Sequence, residues 1–189
     1  MTPPTPLSIE DAAVAVRRGG VIAYPTEAVW GLGCDPFREA AVMRLLAIKQ
    51  REVGKGLILI AGSLEQLDGL LDWSRLDRAQ YERVLASWPG PGTWIVPATS
   101  RLPRWITGDH DSAAVRVSAH PEVVALAAAC AGTLVSTSAN FSGQAPALVR
   151  GQLAPALLEV IDGVTAGETG GRSAPSTIRD AISGAVLRP

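Results

Sequence analysis

Short apolar segments alternate with helical patterns along the chain, and this alternation constrains the fold more than any other feature of the sequence. Apolar runs bounded by polar or turn residues predict buried strands at 21–24, 57–61, 93–96, 113–117 and 133–136. Helical patterns are found after the cap Ser8, from Asp35-Pro36 to Ile48, and at 63–71, 75–86, 121–131 and 153–159, with a loop at 99–112. This order of elements predicts a single α/β domain with a mixed parallel and antiparallel sheet and flanking helices.

The composition excludes several classes of protein. Hydrophobic residues make up 47% of the 189 residues and charged residues 19%, so the chain can bury a large core and is not expected to be disordered. No apolar run approaches the roughly 18 residues that a membrane helix needs. The N-terminus lacks the basic and apolar regions of a signal peptide. We therefore expect a cytoplasmic protein that does not enter a membrane.

The net charge and the small number of potential metal ligands limit which ligands the protein can bind. Seventeen basic and eighteen acidic residues give a net charge of −1, which argues against nucleic-acid binding by bulk charge but allows a local basic cleft. Two cysteines and two histidines are too few for a four-ligand zinc site, so we expect no metal held directly by a protein cluster. Cys34 is predicted to be a small buried residue.

Polar clusters lie at the ends of predicted elements, at 25–33, 49–55, 136–143 and 167–177. Because open α/β sheets bind ligands at the carboxyl ends of their strands, we expect ligand binding there. The glycine-rich segment 167–177 lacks the Gly-Lys-Ser/Thr ending of a P-loop. A nucleotide site in this chain would therefore be of another type.

Two of these clusters have a composition that suits phosphate. Lys49 and Lys55, the two lysines of the chain, place three cations within seven residues together with Arg51. A polyphosphate would relieve their repulsion, although a helix C-terminus would explain the same charges without a ligand. Five hydroxyl or amide side chains within 136–142 suit phosphate oxygens or a hydrated Mg²⁺ ion. A serine nucleophile is less favoured, because the Gly-x-Ser-x-Gly pattern is absent.

Two further features concern single residues. Arg116 stands inside an apolar strand and needs an anionic partner if it is half-buried. The sequence leaves open whether that partner is a structural carboxylate or the carboxylate of a ligand. His110, flanked by Asp109 and Asp111, is predicted to lie in a solvated loop.

Taken together, these motifs resemble the YrdC/TsaC family, the L-threonylcarbamoyladenylate synthases of tRNA modification. The matching segments are Tyr24-Pro-Thr-Glu-Ala-Val-Trp-Gly-Leu-Gly33, Lys49-Gln-Arg51, Lys55-Gly-Leu57, Pro89-Gly-Pro-Gly-Thr93, Val115-Arg-Val117, Ser136-Thr-Ser-Ala-Asn140 with Ser142-Gly143, and Pro175-Ser-Thr-Ile178. They occur in family order, so the resemblance implies one YrdC-like domain over 1–189 with its core from about residue 8. The sequence resembles the short, single-domain bacterial branch of the family, since it ends at Pro189, where longer relatives continue into an extra domain.

The resemblance implies a reaction as well as a twisted sheet with a concave, positively charged face. L-threonine, bicarbonate or CO2, and ATP with Mg²⁺ would give threonylcarbamoyl-AMP and pyrophosphate, which makes the chain a nucleotidyltransferase. The product would pass to a tRNA threonylcarbamoyl-transferase complex for t6A modification of tRNA. Catalysis would consist of positioning and electrostatic stabilisation, without a covalent enzyme intermediate.

The resemblance also assigns roles to residues. The family's Lys-x-Arg and Ser-x-Asn pairs fall on the predicted catalytic residues, Lys49, Arg51, Ser138 and Asn140. ATP binding is expected to add Lys55, Ser112 and Arg188. The threonine pocket is expected to contain Thr26, Arg116, Ser136 and Ser176.

The sequence departs from the family pattern near the expected threonine pocket. Ala28 and Trp30 stand where many relatives have Thr and Tyr, and residues 57–60 lack the His of longer relatives. The threonine pocket is therefore expected to be built somewhat differently. Two alternatives stay open: a double-stranded RNA-binding or ribosome-maturation factor without catalysis, and a different adenylate-forming or carbamoyl-transferring enzyme. The near-neutral charge predicts at most weak RNA binding.

Overall fold

The computed structural model describes residues 5–172 and 176–189. The strands in these ranges are β1 (Ile22–Pro25), β2 (Trp30–Gly33), β3 (Ile58–Ala61), β4 (Thr93–Pro97), β5 (Ser112–Val117), β6 (Leu134–Ser138), β7 (Gly163–Val164), β8 (Ile178–Asp180) and β9 (Val186–Arg188). The α-helices are α1 (Ile9–Arg17), α2 (Glu39–Lys49), α3 (Arg78–Leu85), α4 (Arg104–Thr107), α5 (Pro121–Ala129) and α6 (Pro155–Leu158). Short 3₁₀ turns occupy Val53–Lys55, Leu64–Leu67, Trp73–Arg75 and Arg150–Gln152.

The strands form one sheet in the spatial order β7-β1-β2-β6-β3-β5-β4-β8-β9. Parallel pairing joins β1 to β7, β3 to β5 and β4 to β8. The other neighbours are antiparallel. The predicted α/β fold with a mixed sheet and flanking helices is therefore confirmed.

The two faces of the sheet bury different clusters, because successive strand residues point to opposite sides. In β3, for example, Ile60 packs with the apolar sides of α1 and α5, whereas Leu59 and Ala61 pack in the larger cluster on the opposite face. That larger cluster also buries Val42, Leu45 and Leu46 of α2. The sheet is therefore sandwiched, with α1 and α5 on one face and α2 on the other.

Helices α1 and α5 cover only one end of their face, and the remainder carries polar side chains. Ser136 and Ser138 follow Leu134 at two-residue spacing in β6 and therefore share its face. By the same spacing, Ser112, Ala114 and Arg116 share one face of β5, opposite the core residues Ala113, Val115 and Val117. The registers Ile58↔Ser136 and Ile58↔Ala114 align these rows across the sheet. The alternation of each strand thus builds a polar surface beside the buried one.

Strand β2 was not predicted, since 25–33 was interpreted as a polar turn region after β1. Glycine is depleted in strands, which hid the signal of the Trp-Gly-Leu-Gly sequence. The structure gives Gly33 a packing role: a Cβ atom there would lie 2.6 Å from the Tyr24 ring and 2.6 Å from the Val135 carbonyl oxygen. The glycine therefore allows β1 and β6 to approach β2 closely.

Several predicted helix bounds were also wrong. Helix α2 begins at Glu39 rather than after Asp35, whose side chain instead accepts a hydrogen bond from the Phe37 N–H in a local turn. The segment 63–71 forms only the 3₁₀ turn Leu64–Leu67, and Gly69 then has a φ of +72° that a helix does not permit. The predicted loop 99–112 contains α4.

The Ser8 cap of α1 is confirmed, because its Oγ accepts the Asp11 N–H at 3.0 Å. In the predicted helix 75–86, the α-helix starts only at Arg78, after a capping box formed by Asp77 and Gln80. Across the described ranges, no helix combines the length and apolar character needed to cross a membrane.

Candidate active site

A cleft of about 760 Å³ opens on the polar part of the sheet face. It is lined by side chains from β4, β5, β6 and β9 and by the loops after β1, α2 and β6. All of the side chains predicted to bind ATP or threonine line it: Thr26, Lys49, Arg51, Lys55, Ser112, Arg116, Ser136, Ser138, Asn140, Ser176 and Arg188. The structure thus brings these residues to one place, while what each of them binds stays a prediction.

Lys49 is the last residue of α2 and is 7% exposed. The helix ends there because Gln50 adopts the left-handed conformation, with a φ of 47°. The Lys49 Nζ donates a hydrogen bond to the Ser138 carbonyl oxygen at 2.7 Å and also contacts the carbonyl and side-chain oxygens of Asn140. Burial and the nearby Arg51 charge lower the pKa of Lys49 to about 8. The end of α2 therefore holds an ammonium group against the segment that follows β6.

Arg51 and Lys55 differ in how firmly the protein holds them. The Arg51 Nε and Nη2 donate to the Gly56 carbonyl oxygen at 3.2 and 2.9 Å, and burial lowers the pKa of Arg51. The Lys55 side chain is 60% exposed and lies 3.7 Å from the Glu52 carboxylate. Arg51 is thus fixed by the backbone of the next turn, whereas Lys55 stands at the rim of the cleft.

Ser136 and Ser138 both belong to β6, so this strand extends two residues beyond the predicted 133–136. Asn140 lies just beyond the strand, and its Nδ2 donates to the Gln144 carbonyl oxygen at 2.7 Å. Its Oδ1 lies 3.3 Å from the Lys49 Nζ. The amide therefore bridges the turn after β6 and the end of α2.

Arg116 is 6% exposed in β5, and its Nη1 lies 3.4 Å from Oε2 of Glu27. The sequence left open whether a structural carboxylate or a ligand would pair with Arg116, and the structure supplies the carboxylate. The Arg116 Nε has no hydrogen-bond partner among the described residues. The guanidinium is therefore paired with Glu27 but still has an N–H group without an acceptor.

Ser176 connects β4 and β9 at the cleft through hydrogen bonds. Its Oγ accepts a hydrogen bond from the Thr93 hydroxyl at 2.9 Å, and its carbonyl accepts from the Arg188 Nη2 at 2.8 Å. Burial, together with the charges of Arg116 and Arg51, lowers the pKa of Arg188. The positive charges of Arg51 and Arg116 thus disfavour a third cation at Arg188, and an anion in the cleft would relieve this repulsion.

Apolar side chains complete the lining of the cleft: Val29, Ile58, Ile95, Ile106, Ile178 and Leu187. Thr26 is 3% exposed, and its hydroxyl donates to the Val29 carbonyl oxygen at 2.8 Å. The cleft thus combines cations, hydroxyl groups and an apolar surface. This combination suits an organic polyanion that carries a flat apolar ring.

Sequence reasoning missed some of these features. His110 lies in an exposed loop before β5, as predicted, but the sequence did not show that this loop also lines the cleft. Glu27 was noted only as a polar group of its cluster, because nothing in the sequence paired it with Arg116. Of the departures from the family pattern, Trp30 is fully buried in the core, whereas Ala28 and, from the segment 57–60, Leu57 and Ile58 line the cleft.

Other predictions concern residues that are not part of this lining. Pro175, the first residue of the last family motif, lies outside the described ranges. Cys34 is buried as predicted, and burial raises the pKa of its thiol to about 12. In the part of the chain that the structure describes, no three His, Cys, Asp or Glu side chains are grouped as a metal site would need.

Comparison with known proteins relates this geometry to a family. The Sua5/YciO/YrdC family model, described as "Telomere recombination", matches residues 14–189. Threonylcarbamoyl-AMP synthase of Xanthomonas euvesicatoria pv. vesicatoria (strain 85-10) is 58% identical over 182 residues, which are 96% of this chain and 97% of that protein.

Solved structures give the same relationship. A two-residue variant of P. abyssi Sua5 superposes with a TM-score of 0.88 at 32% identity, covering 96% of this chain and 56% of that one. P. abyssi Sua5 complexed with L-threonine superposes with a TM-score of 0.84 at 32% identity, covering 91% and 50%. This chain thus spans about half the length of P. abyssi Sua5 and nearly all of its Xanthomonas relative. From the family model and the identity over nearly its full length, the chain belongs to the Sua5/YciO/YrdC family.

Proposed function

We propose that this protein is a threonylcarbamoyl-AMP synthase, a nucleotidyltransferase that forms threonylcarbamoyl-AMP and pyrophosphate from L-threonine, bicarbonate and ATP. The observation that carries the proposal is the single cleft that unites Lys49, Arg51 and Arg188 with Arg116. Two anionic substrates must meet in this reaction, and these cations provide for both of them. The name of the Xanthomonas relative supports the same activity.

The phosphates of ATP are assigned to the side of the cleft formed by Lys49, Arg51 and Lys55. The ammonium of Lys49 already fixes the turn after β6, so it would present Ser138 and Asn140 to the phosphates while adding its own charge. Such preorganised donors stabilise the negative charge that develops on leaving pyrophosphate. Ser112 and Arg188 would contact the nucleoside, next to the apolar surface of the cleft.

L-threonine is assigned to the part of the cleft around Arg116, whose guanidinium would bind the substrate carboxylate. Thr26, Ser136 and Ser176 line the same cleft and supply hydroxyl groups for the amino acid. A relative at 32% identity, P. abyssi Sua5, was solved with L-threonine, which supports this substrate.

The chemistry requires two bond-forming steps. Bicarbonate takes up a proton and releases water to give CO2, and the amine of threonine then attacks the carbon of CO2 and loses a proton, which gives a carbamate. A carbamate oxygen then attacks the α-phosphorus of ATP, and the bond from that phosphorus to the bridging oxygen breaks as pyrophosphate leaves. The protein contributes position and charge to these steps, and none of its side chains becomes covalently attached.

Mg²⁺ would enter this site with ATP. The cleft offers hydroxyl and amide oxygens, from Ser138 and Asn140, and its lining includes no carboxylate among the described residues. Mg²⁺ keeps several waters and binds mainly through substrate phosphates in such sites, so the donor set fits an ion carried by ATP. The ion would neutralise phosphate charge, while Lys49 and Arg51 would hold the phosphates in place.

The product would be passed to a tRNA threonylcarbamoyl-transferase complex, because an acyl-adenylate is a reactive intermediate that a second enzyme must consume. We place this step in the cytoplasm, where tRNA and ATP are available. Binding of RNA by this chain itself is expected to be weak, because its net charge is −1.

Pyrophosphate release tests the proposal directly. The protein is incubated with ATP, Mg²⁺ and bicarbonate, with and without L-threonine, and threonylcarbamoyl-AMP is sought by mass spectrometry. Release that requires both threonine and bicarbonate is expected. Release that ignores threonine would indicate a different adenylate-forming enzyme, and salt-sensitive RNA binding without release would favour the RNA-binding alternative.

The pH dependence of the reaction should report on Lys49. Its pKa is lowered to about 8, so the ammonium loses its proton as the pH rises through that value. Because the neutral amine attracts phosphate less strongly, kcat/KM for ATP should fall above about pH 8. In a Lys49→Arg variant the guanidinium keeps its charge, so the same fall should be absent whatever the remaining activity. An identical alkaline limb in both proteins would assign it to another group.

A further inference from the structure

Glu27 is a buried carboxylate behind the cleft. It lies in the turn between β1 and β2 and is 9% exposed. Its Oε1 accepts hydrogen bonds from the Ser118 hydroxyl at 2.6 Å and from the Ala119 N–H at 3.3 Å. Two groups just beyond β5 therefore fix the direction in which this carboxylate points.

The other oxygen of Glu27 is directed at Arg116. Oε2 lies 3.4 Å from the Arg116 Nη1 and has no hydrogen-bond partner among the described residues. Arg116 lines the cleft, whereas Glu27 does not. The carboxylate thus contacts the guanidinium from behind and does not itself meet a ligand.

The guanidinium of Arg116 has N–H donors that the pairing with Glu27 does not use. Arginine has five N–H donors in a planar fork, and the pairing with Glu27 uses Nη1. The Nε of Arg116 has no partner in the described part of the chain. A carboxylate from a substrate would supply acceptors that the protein does not.

The cleft that Arg116 lines contains other cations. Arg51 and Arg188 line the same cleft, and the charges of Arg51 and Arg116 both act on Arg188. In the described ranges, Glu27 is the carboxylate within 4.0 Å of Arg116. Glu27 is therefore the anionic group that can fix the direction of the Arg116 guanidinium.

We infer that Glu27 is a positioning residue, which holds Arg116 in the orientation that receives the carboxylate of the amino-acid substrate. The inference rests on the proposed function, because it assigns that carboxylate to Arg116. Glu27 acts through Arg116 and does not touch the reacting atoms. Its loss should therefore affect the amino acid and not the nucleotide.

The test compares kinetic constants in a Glu27→Gln variant, which keeps the size of the side chain and an acceptor for Ser118. We expect KM for L-threonine to rise by about tenfold to a hundredfold, since a displaced Arg116 loses its alignment with the substrate. KM for ATP should stay within about twofold of the wild-type value. A merely structural role of Glu27 would lower the amount of folded protein, which leaves both KM values unchanged.

Glu122→Gln is the matched control, because Glu122 has a buried carboxylate oxygen close to the same loops and does not line the cleft. It should leave both KM values unchanged. Glu27→Asp keeps the charge on a shorter side chain and should restore part of the affinity for threonine, which keeps the test decisive if Glu27→Gln does not fold.

Measurements on the wild-type protein distinguish a failure of the proposed function from a failure of the proposed role of Glu27. If it neither binds L-threonine nor releases pyrophosphate in its presence, the proposed function itself fails. If wild type is active and KM for threonine in both Glu27 variants is unchanged or lower, or if KM for ATP rises equally, Glu27 does not position Arg116 for the amino acid.

Discussion

Replacing Lys49 by alanine should reduce threonylcarbamoyl-AMP formation by a factor of about 10² to 10³, while the protein remains folded. The substitution removes the ammonium that contacts the Ser138 carbonyl and two oxygens of Asn140. It therefore deletes the charge that we propose binds the phosphates of ATP, and it also releases the turn that carries two other predicted catalytic side chains. The measurement is pyrophosphate release with saturating ATP and L-threonine, combined with a thermal melt of the same preparation.

Lys55 provides the comparison for this experiment, as the other lysine of the chain and of the cleft. Its side chain is 60% exposed and has an exposed partner in Glu52, so Lys55→Ala should lower activity far less. Lys49→Met keeps most of the buried side-chain volume and should be as inactive as Lys49→Ala. Near-normal activity in a folded Lys49→Met protein would show that the charge of Lys49 has no part in the reaction.

Physical reasoning from the sequence was sufficient to predict the fold class and part of the cleft, whereas Ser112, Ser176 and Arg188 were assigned only through the family resemblance. Alternating short apolar runs and capped helices determine an α/β architecture largely through local preferences. Lys49, Arg51 and the 136–142 cluster attract attention because unpaired cations and clustered hydroxyl groups are costly to keep without a ligand. Such signals are carried by neighbouring residues and are therefore visible in one sequence.

Contacts between residues that are far apart in the sequence could not be predicted. The contact of Glu27 with Arg116 joins residues 89 positions apart, and it depends on the register of β3, β5 and β6 across the sheet. The extension of β6 through Ser138 is another case, because residues 137 and 138 pair with β2, a strand that the sequence did not reveal. Strand β2 was hidden for a local reason, since its two glycines weaken the strand pattern.

Arg116→Met should destabilise the protein and abolish productive use of threonine, and the two effects should be separable. The substitution leaves the carboxylate of Glu27 buried without its counter-charge, in a position where that side chain is 12% exposed. Removing one partner of a buried ion pair typically costs about 3 kcal/mol or more. Urea unfolding should therefore show a lower midpoint for Arg116→Met than for wild type, with an unchanged slope.

Adding Glu27→Gln to Arg116→Met resolves the stability effect from the functional one. The double variant buries neither charge, and replacing both members of a buried pair is often nearly neutral, so most of the lost stability should return. Activity should not return, because the Arg116 guanidinium that we propose binds the substrate carboxylate is still missing. A stable double variant that uses threonine with a normal KM would show that Arg116 serves the fold alone. If instead stability returns and threonine binding does not, the loss of stability came from the unpaired Glu27 carboxylate, and the loss of threonine use came from the missing Arg116 guanidinium.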